Sequence, residues 1–375
     1  MSCLQTVTSG FRVLGAIGFT LLWPVMLYNG TLVALLQAAW TGAFRDGRPL
    51  LTTYTHFPPL DFMISILVAF FYDQINGLDD GAWLLMLDLV ATLQAASLWV
   101  LVEANRGGQR KRLLELYVCP CPSLRRAVNC SLADTFGARF FNWPLMWNLV
   151  GAATVLPFYV YLHTQSTESD KPNPIISTAR PRSLIIVSLL GVSVPAVFLL
   201  SAYTFASEFA RQVSIAVFVL SPLLLDALVA IVSYPKPNLP GGRRTSSDHV
   251  RYIYIWAGLA SGGAHVYTLA RTLLSQKESV GLATVFMPSP SGVIPGSVNN
   301  IHDGALLFLQ YDWIVVNITC WAWAYLLIES PQVYLGVKGW AARGLLTLLT
   351  TLFIGPGATV SCALYLRGRK PLSSE

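Results

Sequence analysis

Long apolar runs separated by short polar stretches recur along the whole chain, at about 10–28, 60–75, 83–104, 143–163, 183–205, 212–234, 250–274, 305–328 and 341–366. Each approaches the ~20 residues that an α-helix needs to cross a hydrocarbon core about 30 Å thick. The run at 60–75 is short and suits a tilted or re-entrant helix. Pro24 interrupts the first run, and the apolar stretch 31–41 that follows suits an amphipathic surface segment. The pattern predicts an all-α, polytopic transmembrane helical bundle of seven to nine spans, with eight or nine favoured. No repeat of 20–50 residues divides it, so residues 1–375 read as one membrane domain.

Composition sharpens this picture. Of the 375 residues, 54% are hydrophobic and 12% charged, with a mean hydropathy of +0.55. Soluble domains carry roughly 25% charged residues, so a soluble fold is excluded. The net charge of +6 sits in loops and tail, as a topology signal and not as a nucleic-acid patch. Loop 105–142 carries Arg106, Arg110, Lys111, Arg112, Arg125, Arg126 and Arg139, and the tail 367–375 is also basic. Both are expected in the cytoplasm. Nine simple crossings satisfy them but put Lys236, Arg243 and Arg244 of loop 235–250 on the opposite side. The N-terminus "MSCLQTVTSGFRVLGAIGFTLL" lacks a basic n-region and reads as a retained first span. Cys119, Cys121 and Cys130 share the basic loop without a histidine, which suits reduced thiols better than a zinc site. The segment 275–304, containing "PSPSGVIPGSVNNIHDG", reads as a flexible, solvated connector.

Polar residues inside the runs suggest chemistry. An ionised carboxylate at the centre of a transmembrane helix costs roughly 2.5–3.5 kcal/mol on insertion scales. At 100° per residue, Asp88, Thr92 and Trp99 share one side of their helix, with Glu103 close by. Tyr254, Gly258, Ser261, His265, Thr268 and Thr272 line one face of another, as interhelical glue or as cavity lining. Asp226 stands one turn beyond Pro222. In the run 305–328, Gln310, Trp313, Asn317 and Trp321 oppose Asp312, Thr319 and Trp323, so both faces must meet protein or an internal cavity. That helix is expected to be central. Trp143, Trp147 and Trp340 read as interfacial aromatics.

Absent motifs narrow the chemistry. There is no D-D-x-x-D, and "LDDGAW" lacks a third acid one turn later, so metal-dependent ionisation of a diphosphate is unsupported and no metal or cofactor is expected. There is no D-x-D-D, H-E-x-x-H, G-x-S-x-G or Walker lysine. A carboxylic acid kept neutral by burial can donate a proton, and aromatic faces stabilise cations. Together they suit proton-initiated cyclisation of an apolar polyene, although proton-coupled transporters use similar acids.

The stretches "FPPLDFMISILVAFFYDQINGLDDGAWLL" (57–85) and "ALLFLQYDWIVVNITCWAWAYLL" (305–327) resemble the fungal membrane-bound terpene cyclases of the ascochlorin, ascofuranone and macrophorin meroterpenoid pathways. The shared points are P-x-L-D followed by V-A-F-F, and F-L-Q-[YW]-D. This chain doubles the proline, as Pro58-Pro59. The resemblance implies a farnesylated aromatic or quinone-like substrate, protonation of a terminal epoxide or olefin, no metal, neighbouring pathway enzymes, and residence in an internal membrane such as the endoplasmic reticulum. By carry-over, Asp312 and Gln310 of "FLQYD" and Asp61 of "PPLD" become site residues. Asp312 is the first choice as general acid because it lies furthest inside the membrane, with Gln310 orienting it. Asp61 and Asp88 follow as alternative acid or final base. Phe70, Phe71, Trp99 and Trp313 would stabilise cations or shape the chain, and Glu103 and His265 complete the expected substrate-binding set. The competing expectation is a proton-coupled carrier of a small lipophilic metabolite, with Asp88, Asp226, Asp312 and His265 as relay. A seven-helix receptor-like scaffold is a third.

Overall fold

The computed structural model describes residues 3–104, 142–168, 181–232, 243–277, 279–329 and 339–368. The basic loop up to residue 141, residues 233–242 and the tail beyond Gly368 lie outside the described residues, as does the side chain of Asp226. The described chain is helical, with one isolated bridge between Ala43 and Pro49. Its helices are α1 (Cys3–Tyr28), α2 (Thr31–Thr41), α3 (Pro58–Ile75), α4 (Asp80–Ala104), α5 (Trp143–Val150), α6 (Ala152–Glu168), α7 (Pro181–Ser188), α8 (Val194–Leu200), α9 (Glu208–Val232), α10 (Arg243–Leu274), α11 (Leu282–Phe286), α12 (Asn300–Glu329), α13 (Trp340–Phe353) and α14 (Pro356–Arg367).

Five stretches are long and apolar enough to cross a membrane: Thr8–Tyr28, Pro58–Ile75, Asp80–Glu103, Glu208–Leu225 and Asn300–Glu329. Three of the predicted runs are interrupted. The run at 143–163 breaks at Gly151 into α5 and α6, and that at 341–366 breaks at Gly355, with Pro356 opening α14. The run at 183–205 passes through a π-helical turn at Leu189–Ser193 and ends its α-helix at Leu200. The 31–41 stretch forms α2, whose 11 residues reach about 16 Å, too short to span. The 275–304 segment is more ordered than its composition suggests. It contains α11 and the first turn of α12, and it buries Val280, Val285, Phe286 and Val293.

Helix α12 is the hub, packing against α1, α2, α3, α4, α6, α13 and α14. This fits a helix polar on both faces, since neither face can meet lipid without cost. The polar stripes of α4 and α10 pack on each other in antiparallel order. Tyr254 Oη donates to Glu103 at 2.7 Å, Thr92 and Ser261 hydroxyls lie 3.4 Å apart, His265 meets Asp88 at 2.9 Å, and Thr268 donates to Leu84 O at 3.3 Å. The stripe on α10 is therefore helix–helix glue. Gly357 lets α14 approach the same seam, because a Cβ there would lie 2.1 Å from Ser261 Oγ. Small residues of this kind let helices approach closely in lipid, where burial of apolar surface supplies little driving force between them.

Candidate functional site

Helices α1, α2, α3, α4, α5, α9 and α12 enclose a cavity of about 700 Å³, mouth included. Its wall is apolar, with Leu, Met, Ile and Val from α1 to α4 and an aromatic set of Trp23, Phe70, Phe71, Trp147, Phe218 and Phe308. The aromatics brace one another edge to face. Ring centroids lie 4.9 Å apart for Phe70–Phe71, 5.1 Å for Phe70–Phe308, 6.4 Å for Phe71–Phe218 and 6.3 Å for Trp23–Phe308. Edge-to-face packing is the arrangement that the ring quadrupole favours, and the same quadrupole attracts a cation to a ring face.

Among the lining residues, one carboxyl group is present, that of Asp312. Its position follows from the break at Gly151. Gly151 has φ 95°, a conformation that side-chain-bearing residues rarely adopt, and a Cβ there would meet Leu22 at 2.4 Å and Phe308 at 3.0 Å. The break starts α6 inside the bundle and frees its first amides, which need acceptors. Thr154 and Val155 N–H donate to Gly151 O, while Ala152 and Ala153 N–H point to the Asp312 carboxyl, with Ala153 bonded to Oδ1. The Trp23 indole N–H donates to Val150 O at 2.8 Å, satisfying a carbonyl at the end of α5. Asp312 thus docks on the positive end of the α6 dipole. Among the described residues no basic side chain pairs with it, and its 3% exposure is to the cavity.

The other expected residues divide. Phe70 and Phe71 line the cavity beside Asp312. Asp88 is on the same helix as the lining residues Met86, Leu89 and Val90 but faces away from the cavity. Its carboxyl accepts from Trp313 Nε1 at 2.8 Å and meets His265 Nδ1 at 2.9 Å, while His265 Nε2 lies 3.1 Å from Leu352 O. A carbonyl only accepts, so Nε2 carries a proton, and a bond between Nδ1 and Asp88 requires one more proton on either partner. Asp88, His265 and Trp313 therefore form a closed, buried cluster pinning α4, α10 and α12. Trp313 also stacks on Phe286 at 4.5 Å.

Gln310 does not reach Asp312. Its amide donates to Thr284 O at 2.9 Å and Val285 O at 3.2 Å, fastening α11 to α12. The two residues are separated by 200° around the helix, which explains the divergence. Asp61 accepts from Tyr54 N–H, Thr55 N–H and the Thr55 hydroxyl, tying the preceding loop to the start of α3. In that loop, burial and then the charge of Asp61 push the Tyr54 phenol above its ordinary pKa. Trp99 donates to Ser361 Oγ at 2.8 Å and packs edge-on against Trp323, away from the cavity. Glu103 lies in a cluster with His163, Tyr254 and Arg367 at 2.7–3.2 Å.

Trp23, Trp147, Asn148, Phe218 and Phe308 line the cavity without having been singled out as site residues. Trp147, expected at an interface, is 4% exposed and faces inward. The available signal was Gly151, a glycine four residues beyond Trp147 inside an apolar run. Among the described residues no group of three or more His, Cys, Asp or Glu side chains is arranged to hold a metal ion.

A helical bundle with membrane-length helices, around a largely apolar, aromatic-walled cavity with a single carboxyl group, defines a protein with an apolar binding space beside one acid. The chain belongs to the CtvD-domain family, whose profile matches residues 8–121 and 123–369. It is similar to terpene cyclase DEP1 of Fusarium langsethiae, 27% identical over 97% of this chain and 98% of that protein. DEP1 of Alternaria brassicicola is 26% identical over 97% and 98%, and terpene cyclase alnG of Emericella nidulans is 26% identical over 96% and 93%. No solved structure is significantly similar.

Proposed function

We propose that the protein is a terpene cyclase that protonates the terminal epoxide or olefin of a farnesylated aromatic or quinone-like substrate and guides the resulting carbocation to ring closure without a metal. The observation that carries this reading is the single carboxyl group, Asp312, in a largely apolar wall that includes six aromatic rings. The chain's family and its fungal relatives named terpene cyclases support the same class. The Asp312 carboxyl gives its proton to the terminal alkene carbon or epoxide oxygen. The π electrons of the next alkene then form the new C–C bond and move the cation inward. The Asp312 carboxylate left behind is held by the Ala152 and Ala153 amides, and Phe70, Phe71 and Phe308 face the cation. Loss of a C–H proton beside the last cation forms an alkene, so the product is an isomer of the substrate. The dry wall keeps water from capturing the cation. Counting α5–α6, α7–α8 and α13–α14 as broken crossings, this reading gives eight or nine passes, in the endoplasmic reticulum.

The test uses microsomes containing the protein, a farnesylated phenol or its terminal epoxide, and a chelator. Chromatography with mass spectrometry is expected to show an isomer of equal mass, lost in Asp312→Asn at normal protein abundance. An Asp312→Asn protein that still cyclises would overturn the assignment of the acid. Absence of any isomer with the wild type would remove the cyclase reading and favour flux assays for the carrier.

A further inference from the structure

The cavity has a second polar side chain whose chemistry the cyclisation does not use. Asn148 lies one turn before the Gly151 break, on the opposite side of that break from the amides that hold Asp312. Its Nδ2 donates to Val219 O of α9 at 3.4 Å. Because a carbonyl can only accept, this contact fixes the amide's orientation, with nitrogen toward α9 and oxygen away from it. Oδ1 takes part in no hydrogen bond among the described residues and, on a half-buried side chain that lines the cavity, remains an open acceptor. A polar group placed in an otherwise apolar lining is the kind that orients a small-molecule ligand.

Burial separates the two polar groups by depth. Asp312 is 3% exposed, whereas Asn148, Leu149, Leu32, Ile66 and Leu67 are half-buried. The half-buried set marks the mouth, and Asp312 marks the inner wall. The Trp23 indole, the other polar group near the break, is already engaged with Val150 O. We infer that Asn148 is the head-group anchor, its Oδ1 accepting a hydrogen bond from a hydroxyl on the substrate's ring while the apolar chain runs inward to Asp312. This rests on the function proposed above and adds a requirement to it: the head group presents a free O–H at the mouth. The anchor sets the register of the chain, and so which carbon meets the acid.

The test separates binding from cyclisation. A phenol bearing a fully saturated farnesyl chain has no alkene to protonate, and its methyl ether lacks the O–H. Both are titrated against the detergent-solubilised full chain, following quenching of tryptophan fluorescence, for the wild type and for Asn148→Ala and Asn148→Leu. The expected result is that the methyl ether binds the wild type about tenfold more weakly than the phenol, and that the two bind the variants equally weakly. The same ratio in wild type and variants, or a wild type indifferent to methylation, overturns the proposal. The wild-type comparison stands even if a variant fails to fold. Failure of the cyclase reading appears in the separate isomer assay, since the saturated probes cannot react.

Discussion

Asp88 and Asp312 are both buried acids with different partners; the proposed function gives them different work, and replacing Asp88 separates the two. Asp88→Ala removes the carboxyl group that bonds two buried groups, His265 Nδ1 at 2.9 Å and Trp313 Nε1 at 2.8 Å. Each buried group left unpartnered costs about 1–3 kcal/mol. Interhelical hydrogen bonds in membrane proteins average only ~0.6 kcal/mol, because the unfolded chain in lipid finds other partners. For two groups the two figures bracket a loss of about 1–6 kcal/mol, or a factor of roughly 5 or more in the folding equilibrium. Asp88→Asn keeps one acceptor oxygen and should fall between wild type and Asp88→Ala. The assay pairs unfolding in a graded detergent mixture with the cyclisation rate per folded molecule, at a temperature where both variants remain folded. Stability is expected to fall in the order wild type, Asp88→Asn, Asp88→Ala, while kcat stays within about threefold. An Asp88→Ala protein as stable as wild type would refute the energetic argument. A folded Asp88→Asn protein as inactive as Asp312→Asn would refute the division of labour.

The Gly151 break makes its own prediction. Gly151→Ala places a side chain at φ 95° and against Leu22, a strain of about 1–3 kcal/mol, and displaces the amides that hold Asp312. A hydrogen bond to a charged group is worth about 1.5–3 kcal/mol, so kcat is expected to fall roughly 10- to 100-fold while the Kd for the saturated phenol changes little; unchanged kcat would show that these amides do not assist the acid. For the aromatic wall, Phe70→Leu and Phe308→Leu retain apolar volume and remove a ring face, at about 0.5–2 kcal/mol of cation stabilisation each. Rates should drop about 2- to 30-fold with more partially cyclised product by gas chromatography, and an unchanged product profile in the double variant would refute cation stabilisation by these rings.

Helix class, the central place of α12 and the long apolar elements were legible because periodicity and length report burial directly. The three interrupted runs were not. Hydropathy runs unbroken through Gly151 and Gly355, and only the backbone conformation there separates one helix from two. The site was half legible. Phe70, Phe71 and Asp312 stood out as aromatics and an acid inside apolar runs, and they do share the cavity. Asp88, Glu103, His265, Trp99 and Trp313 gave the same kind of signal and form interhelical clusters instead. A helical wheel shows which side chains share a face; it does not show whether that face meets a cavity or another helix.

What distinguishes Asp312 from those other groups is the kind of partner it has. Asp88 faces a histidine and an indole N–H, and Glu103 faces Arg367, Tyr254 and His163. Partners of that kind occupy a carboxyl group's hydrogen-bonding positions within a closed cluster. Asp312 has instead the backbone amides at the start of α6, which carry partial positive charge but no proton to exchange at ordinary pH. Such donors stabilise the carboxylate that proton transfer leaves behind without adding a cation to repel the carbocation nearby. In the proposed reaction the aromatic rings of the same wall would do the complementary work for the positive charge. Both charges that appear in the reaction would therefore meet fixed dipoles and quadrupoles, which need no rearrangement at the moment of transfer. An arginine or lysine beside Asp312 would oppose the cation within the same low-dielectric space, so the lack of a basic partner among the described residues suits the acid to this chemistry.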